Sequence, residues 1–362
     1  MSGITLVTGA TGFLGSHLLS LLRDRRPLRV LTRAATPELA ESGAEIVEGS
    51  LLDPEVLDES LRGVSHVYHA AGLVSRDPRA AAEMYRVHVD GTRLLIERAR
   101  EAGVERILLV STSGTIAVTE GEEVSDESSP YRTETVRRFP YYLSKIFQEK
   151  LALRMAAEGG PEVVVVNPSL LLGPGDHRQS STEDVLRFLR GQIPFVPPGG
   201  ISFVDARDAA AGAILAMEKG RPSRRYLLTA ANWTMADFFR RLARITGMRG
   251  PALRVPAQVA RLSARWLAPE LGPSVEMSRL FWYCDPSRAR AELAWEPRDP
   301  IETLEDTVAD LRTRHFGAPP PRPRPRSHLE ALVARALERD LESEIEVRET
   351  PARAASRPRR RR

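Results

Sequence analysis

Three glycines near the amino terminus restrict this chain more than any other feature. Gly9, Gly12 and Gly15 lie in the stretch GITLVTGATGFLGSHL, where a short apolar run leads in and a segment of helical apolar spacing leads out. The context is strand, glycine turn, helix. Glycine permits backbone conformations and close approaches that a Cβ would block. A helix that starts directly after such a turn presents unpaired N–H groups and the positive end of its dipole, and together these bind a pyrophosphate. The spacing is G-x-x-G-x-x-G rather than G-x-G-x-x-G, and the same physics applies. The turn residues Gly9, Thr11, Gly12, Phe13, Leu14 and Gly15 are therefore expected to cradle the phosphates of a dinucleotide.

The rest of the first half fits that expectation. Residues 4–8, 28–32, 45–48, 66–69, 106–111 and 163–166 are short, rich in Val, Ile or Leu, and read as strands. Four consecutive valines at 163–166 suggest a strand buried on both faces. Amphipathic segments at 80–102 and 141–158 separate some of them. Such alternation predicts an α/β fold, a Rossmann-type doubly wound parallel sheet with helices on both sides. The expected division is a nucleotide-binding domain over 1–172, with later segments near 201–230 returning to it, and a substrate lobe over 173–316. Helical patterns at 182–190, 206–219, 235–246, 256–267 and 301–314 make that smaller lobe mostly helical.

A third region covers 317–362. Residues 318–326 are too rich in proline to fold and read as an extended spacer. Leu329, Leu332, Val333, Ala336, Leu337, Leu341 and Ile345 then follow helical spacing. That stripe is expected to dock on its own domain, or on a partner or second copy, so a homodimer stays open. Arg357 and the arginines at 359–362 concentrate positive charge at the end of the chain. The formal net charge is only +4 despite a sequence pI of about 9.4. The body therefore offers no basic footprint for nucleic acid, and none is expected as a partner. Cys284 is the single cysteine, which rules out an intrachain disulfide and suits a reducing, cytoplasmic setting. No apolar run is long enough for a spanning helix, and the amino-terminal stretch lacks the basic start of a signal peptide. No metal-ligand cluster stands out.

Cofactor choice turns on the end of the second strand. An acidic residue there would hold a ribose 2′-hydroxyl. Here the strand ends in Thr32-Arg33, and no acid follows until Glu38. A guanidinium pairs with a 2′-phosphate, so NADP(H) is favoured over NAD(H).

Tyr141 and Lys145 are four residues apart, which places them on one face of a helix. A tyrosine is a poor acid-base near neutral pH, and a neighbouring ammonium lowers its pKa. Tyr142 competes for the role, but its spacing to Lys145 is three. A hydroxyl partner is expected where the strand at 106–111 ends, in Ser111-Thr112-Ser113-Gly114. Spacing does not choose among the three hydroxyls; Ser113 is the favoured one, placed to orient a carbonyl oxygen.

With these elements in order, the sequence resembles the extended short-chain dehydrogenase/reductase family. It is closer to the dihydroflavonol-reductase-like and NAD-dependent epimerase/dehydratase branches. The matching motifs are TGATGFLGSHL at 8–18, HAAG at 69–72, VHVDGT at 87–92, STSG at 111–114, YYLSK at 141–145, NPSLLLGPGD at 167–176 and FVDARDAA at 203–210. The resemblance implies Tyr141 as general acid/base, Lys145 as its partner and ribose ligand, and Ser113 as the carbonyl-orienting group. It also implies Ala70, Ala71 and Gly72 along the cofactor and Pro168 near the nicotinamide.

Two positions depart from the family pattern. Ser50, followed by Leu51, replaces the usual acid at the adenine, and His88 replaces the usual asparagine. A histidine at 88 is read as a structural replacement, with a water relay as the alternative. The expected activity is hydride transfer between nicotinamide and the carbonyl or alcohol of a small molecule. A sugar epimerase or dehydratase, a 3β-hydroxysteroid-type dehydrogenase and a non-catalytic NADP-binding regulator are the alternatives.

Overall fold

The computed structural model describes residues 3–23, 27–193, 195–251, 253–254 and 276–318. In chain order its first half comprises β1 (Ile4–Thr8), α1 (Phe13–Leu22), β2 (Leu28–Thr32), α2 (Pro37–Ala40), β3 (Glu45–Glu48), α3 (Pro54–Leu61), β4 (Val64–His69), α4 (Ala81–Tyr85), α5 (Gly91–Glu101), β5 (Arg106–Val110), α6 (Thr133–Val136), α7 (Pro140–Ala157) and β6 (Glu162–Pro168). The remainder comprises β7 (Leu170–Leu172), α8 (Glu183–Leu189), β8 (Phe195–Val196), β9 (Gly200–Asp205), α9 (Ala206–Lys219), β10 (Arg225–Leu228), β11 (Ala231–Thr234), α10 (Met235–Thr246), β12 (Leu253–Arg254), α11 (Ser287–Leu293) and α12 (Pro300–Phe316).

Seven strands form one sheet in the order β10-β6-β5-β4-β1-β2-β3, and every pairing in it is parallel. The order reverses direction between β1 and β4. In an open parallel sheet that switch point leaves a crevice at the strands' carboxyl ends, where a ligand binds. The inner strands are apolar on both faces: Ile107, Leu108 and Leu109 are buried, as are Val163, Val164, Val165 and Val166. One face packs on α1 and α9, where Ala209, Ala210, Ala213 and Ala216 let α9 lie close to the sheet. The other face packs on α3, α5 and α7.

Local chemistry explains several boundaries. The Asp53 carboxylate accepts from the Glu55 and Val56 amides to start α3, with Pro54 at its first position. Asp299 and Pro300 do the same for α12, and Gly317, at φ +67°, ends it. The segment 80–102, expected as one helix, is instead interrupted by a π turn at Arg86–Asp90. His88 sits inside that turn with its imidazole bonded away from the helix.

The residues after Gly173 hold more strand than their pattern suggests. A three-stranded sheet, β11-β9-β7, has β7 parallel and β11 antiparallel to β9, and β8 pairs with β12 in a short ribbon. Phe203, Phe238, Phe239, Leu304 and Leu311 fill the core beneath that sheet. The helix expected at 256–267 and the apolar stripe at 329–345 lie outside the described residues.

Candidate active site

Gly9 adopts φ +76°, and a Cβ there would come within 2.6 Å of the Ala70 and Ala71 backbone. A Cβ on Gly15 would stand 2.1 Å from the Gly9 carbonyl oxygen. The turn is thus closed by backbone against backbone, and its Gly12 amide bonds back to the Gly9 carbonyl at 2.9 Å. No side chain caps α1, whose N-cap is Gly12, so the first-turn amides are available to an anion. The residues present fit a dinucleotide pyrophosphate. Arg178, from the loop after β7, donates to the Thr11 hydroxyl at 3.1 Å and brings a cation over the same turn.

Arg33 stands exposed just past β2, and among the described residues no carboxylate pairs with it. Ser50 and Leu51 follow β3, where the Ser50 hydroxyl accepts from the Leu52 amide and Leu51 packs on Gly91. Ala70, Ala71 and Gly72 continue from β4, beside Gly9. The Ala71 amide donates to Thr8 Oγ1 at 3.2 Å. Pro168 ends β6 next to the buried Asn167.

The turn after β5 sorts its hydroxyls. Ser111 Oγ donates to Glu149 at 2.6 Å, and Thr112 Oγ1 accepts from the Gly114 amide at 3.4 Å. Ser113 opens a short 3₁₀ turn, buried, with its hydroxyl beside the Cys284 thiol. Tyr141 and Tyr142 lie in the first turn of α7. The Tyr142 ring covers Gly114, where a Cβ would collide with it, and stacks at a tilt on Trp282 at 4.8 Å. Tyr141 packs edge-on against Tyr142 at 5.1 Å and against His88 at 5.9 Å.

Lys145 is buried, and its ammonium donates to the Val110 carbonyl at 2.7 Å and to Gln148 Oε1 at 2.5 Å. Two of its three N–H groups are thereby used. Burial lowers its pKa to about 7, against an opposing pull from Glu149. Tyr141 moves the other way from the sequence expectation. Burial, then Tyr142, pushes its phenol above the ordinary value of 10. A buried phenol loses the hydration of its anion, which disfavours the charged form.

Sequence reasoning missed the polar floor beneath these groups. Gln148 Nε2 donates to Thr92 Oγ1 at 2.7 Å; Thr92 in turn contacts His69 Nε2 at 2.9 Å, and His69 Nδ1 lies 2.8 Å from Thr8 Oγ1. Burial, with Lys145 nearby, lowers the His69 pKa to about 3. Glu149, fully buried, accepts from Ser111, Tyr131 and Asn167 and faces Arg225 at 3.5 Å. Arg76 of the loop after β4 pairs with Asp184 of α8 at 3.1 Å. The one available signal for Glu149 was its spacing of four from Lys145. Thr8, His69, Thr92, Ser111 and Asn167 lie within the quoted motifs, though no role was read for His69, Thr92 or Asn167 there.

The sequence pattern of the NAD dependent epimerase/dehydratase family matches residues 5–228. The chain belongs to that family. This NAD-dependent epimerase/dehydratase family member is similar to sterol demethylase protein B of Methylococcus capsulatus, at 32% identity over 86% of this chain and 98% of that protein. It is also similar to a putative dihydroflavonol 4-reductase of Synechocystis sp., at 33% identity over 85% of this chain and 94% of that protein. Among solved structures, gox2253 matches with a TM-score of 0.77 and 30% identity over 86% of this chain and 99% of that one. The epimerase/dehydratase family and its neighbours are NAD(P)-dependent enzymes of the extended short-chain dehydrogenase/reductase type, and this chain is one of them. Among the described residues no helix is long and apolar enough to cross a membrane. No group of metal-binding side chains occurs among them either.

Proposed function

We propose that this enzyme is an NADP(H)-preferring reductase that exchanges a small-molecule carbonyl and its alcohol. The observation that carries the reading is the meeting of the first turn of α7 with the Ser113 turn, at the strand ends that also hold the glycine cradle. Gly9, Thr11, Gly12, Phe13, Leu14 and Gly15 would hold the pyrophosphate, Arg33 a 2′-phosphate, Ser50 and Leu51 the adenine side, and Ala70, Ala71, Gly72 and Pro168 the remainder. When bound, the nicotinamide supplies or accepts the hydride. Tyr141 gives or takes the proton at the substrate oxygen, Ser113 orients that oxygen, and Lys145 directs its remaining N–H to the ribose. The single buried thiol, Cys284, supports a reducing, cytoplasmic setting.

Titration of cofactor-stripped protein with NADPH and NADH, followed by nicotinamide fluorescence, tests the cofactor choice. The expected result is tighter NADPH binding that Arg33→Asp abolishes. Equal or better NADH binding would demote Arg33 to a surface residue and bring the epimerase reading forward. A screen of ketones and aldehydes, read as NADPH consumption, then tests the activity. Retained cofactor with no net redox change on nucleotide sugars would favour an epimerase.

One observation favours a narrower second reading. The Tyr142–Trp282 wall beside Tyr141 is aromatic and lies on a cluster with Met277 and Leu280. A flat apolar ketone of the sterol class suits such a wall better than a sugar does.

A further inference from the structure

We propose that His88 is a positioning residue, a permanently neutral strut that holds the cofactor-side loop at Gly72 and Leu73 in fixed register with Tyr141. The proposal rests on the reading of Tyr141 as the proton-transferring group.

Three hydrogen bonds run in series. The Leu73 amide donates to His88 Nε2 at 3.0 Å, His88 Nδ1 lies 2.8 Å from Ser144 Oγ, and Ser144 Oγ donates to the Tyr141 carbonyl at 2.8 Å. The direction of each bond is forced. A backbone N–H can only donate, so Nε2 must offer a lone pair and carry no proton. The single Ser144 proton goes to the Tyr141 carbonyl, so Nδ1 must donate to Ser144. One tautomer satisfies all three bonds, and it is neutral. A second proton would set Nε2–H against the Leu73 N–H.

The surroundings reinforce that state. His88 is fully buried, and the Lys145 ammonium and His69 face it from α7 and β4. Burial first, then those two groups, lowers its pKa to about 2. Both ring nitrogens are spent on the protein, so the imidazole has no free lone pair or proton for a water relay. Gly72 leaves room for the ring, since a Cβ there would stand 3.1 Å from Nε2. The ring edge also meets the Tyr141 ring. The strut therefore joins the loop expected along the cofactor to the residue expected to move the proton. A reacting pair displaced by about 1 Å can lose on the order of a hundredfold in rate.

The test uses the full-length holoenzyme with three variants. His88→Leu keeps bulk and deletes both bonds to the ring, Ser144→Ala removes the two bonds made by the hydroxyl and leaves the Leu73 bond in place, and His88→Gln restores a planar donor and acceptor. In ¹⁵N-histidine-labelled wild type, the resonances lost in His88→Gln should show the Nδ1–H tautomer and should not titrate from about pH 5 to 8. The Leu73 amide should exchange slowly and speed up in His88→Leu. On the carbonyl substrate returned by the screen, His88→Leu and Ser144→Ala should lower kcat by about 10- to 100-fold with NADPH Kd little changed, and His88→Gln should recover most of it. A His88 ring that titrates in that range, or a folded Ser144→Ala with wild-type kcat, would overturn the proposal. Should His88→Leu fail to fold, Ser144→Ala and the histidine spectrum still decide it. Full turnover in Tyr141→Phe would refute the catalytic reading, while the tautomer and the Leu73 exchange would still judge the strut by themselves.

Discussion

Lys145 and His69 place titratable groups where burial disfavours their charged forms, and both leave a mark on stability. Lys145 has a pKa of about 7 in the folded chain against an ordinary 10.5, so between those values the unfolded chain holds a proton that the folded chain does not. Stability should therefore rise with pH across that window, and Lys145→Met should flatten the rise in denaturation curves. His69, at about 3 against an ordinary 6.5, has the same sign. Stability should fall as pH drops below about 6.5, less steeply in His69→Gln. At the reaction itself, Tyr141→Phe should cost on the order of a hundredfold to ten-thousandfold in kcat while NADPH affinity holds nearly constant. Tyr141 and Lys145 were proposed from their spacing of four behind a dinucleotide-type fold, and Arg33 from its place at a strand end, because a helix turn and a strand end are local facts. The direction of the Tyr141 shift could not, since it depends on how completely Tyr142 and the rest of the site exclude water.

Among the elements, β1, the glycine turn and α1 were readable almost residue by residue, because sterics tie each glycine to a specific close contact. Gly15→Ala should lower thermal stability, with an overpacking cost of about 1–3 kcal/mol, and abolish nicotinamide fluorescence on titration. Arg178→Ala, which removes the cation over Thr11, should weaken NADPH and NADH alike and reduce the salt dependence of binding. The π turn at Arg86–Asp90 was not readable. Residues 80–102 keep an apolar period that fits an unbroken helix, and the turn carries His88, whose partners Leu73 and Ser144 are both remote in sequence. The strands β7, β9 and β11 were hidden for a related reason. β7 and β11 have only three and four residues, so period-two alternation has little length in which to show, and β9 runs straight into the alanine-rich α9.

Across the whole molecule, the parallel sheet followed from strand-helix alternation, whereas the attachment of the later segments did not. Asp208, fully buried on α9, is held by Arg298, whose guanidinium reaches it at 2.8 Å, and Trp295 Nε1 donates to the Asp208 carbonyl at 2.9 Å. Arg207 bridges Asp205 and Asp306, linking α9 to α12. Arg298→Met would leave a buried carboxylate without its main partner, and a loss of about 3–5 kcal/mol in chemical denaturation is expected. The seventh strand, β10, carries a different consequence. It lies at one edge of the sheet yet is among the last strands of that sheet to leave the ribosome, after α9 and well after the valines of β6 that it covers. Until it docks, a nascent chain presents residues 165–168 of β6 as an unpaired strand edge, the kind of surface on which unfinished chains pair with one another. Synthesis of this protein thus passes through an interval of aggregation risk that closes only when residues 225–228 have been made, and a chain stopped before them should be recovered as inclusion bodies rather than as a smaller folded protein.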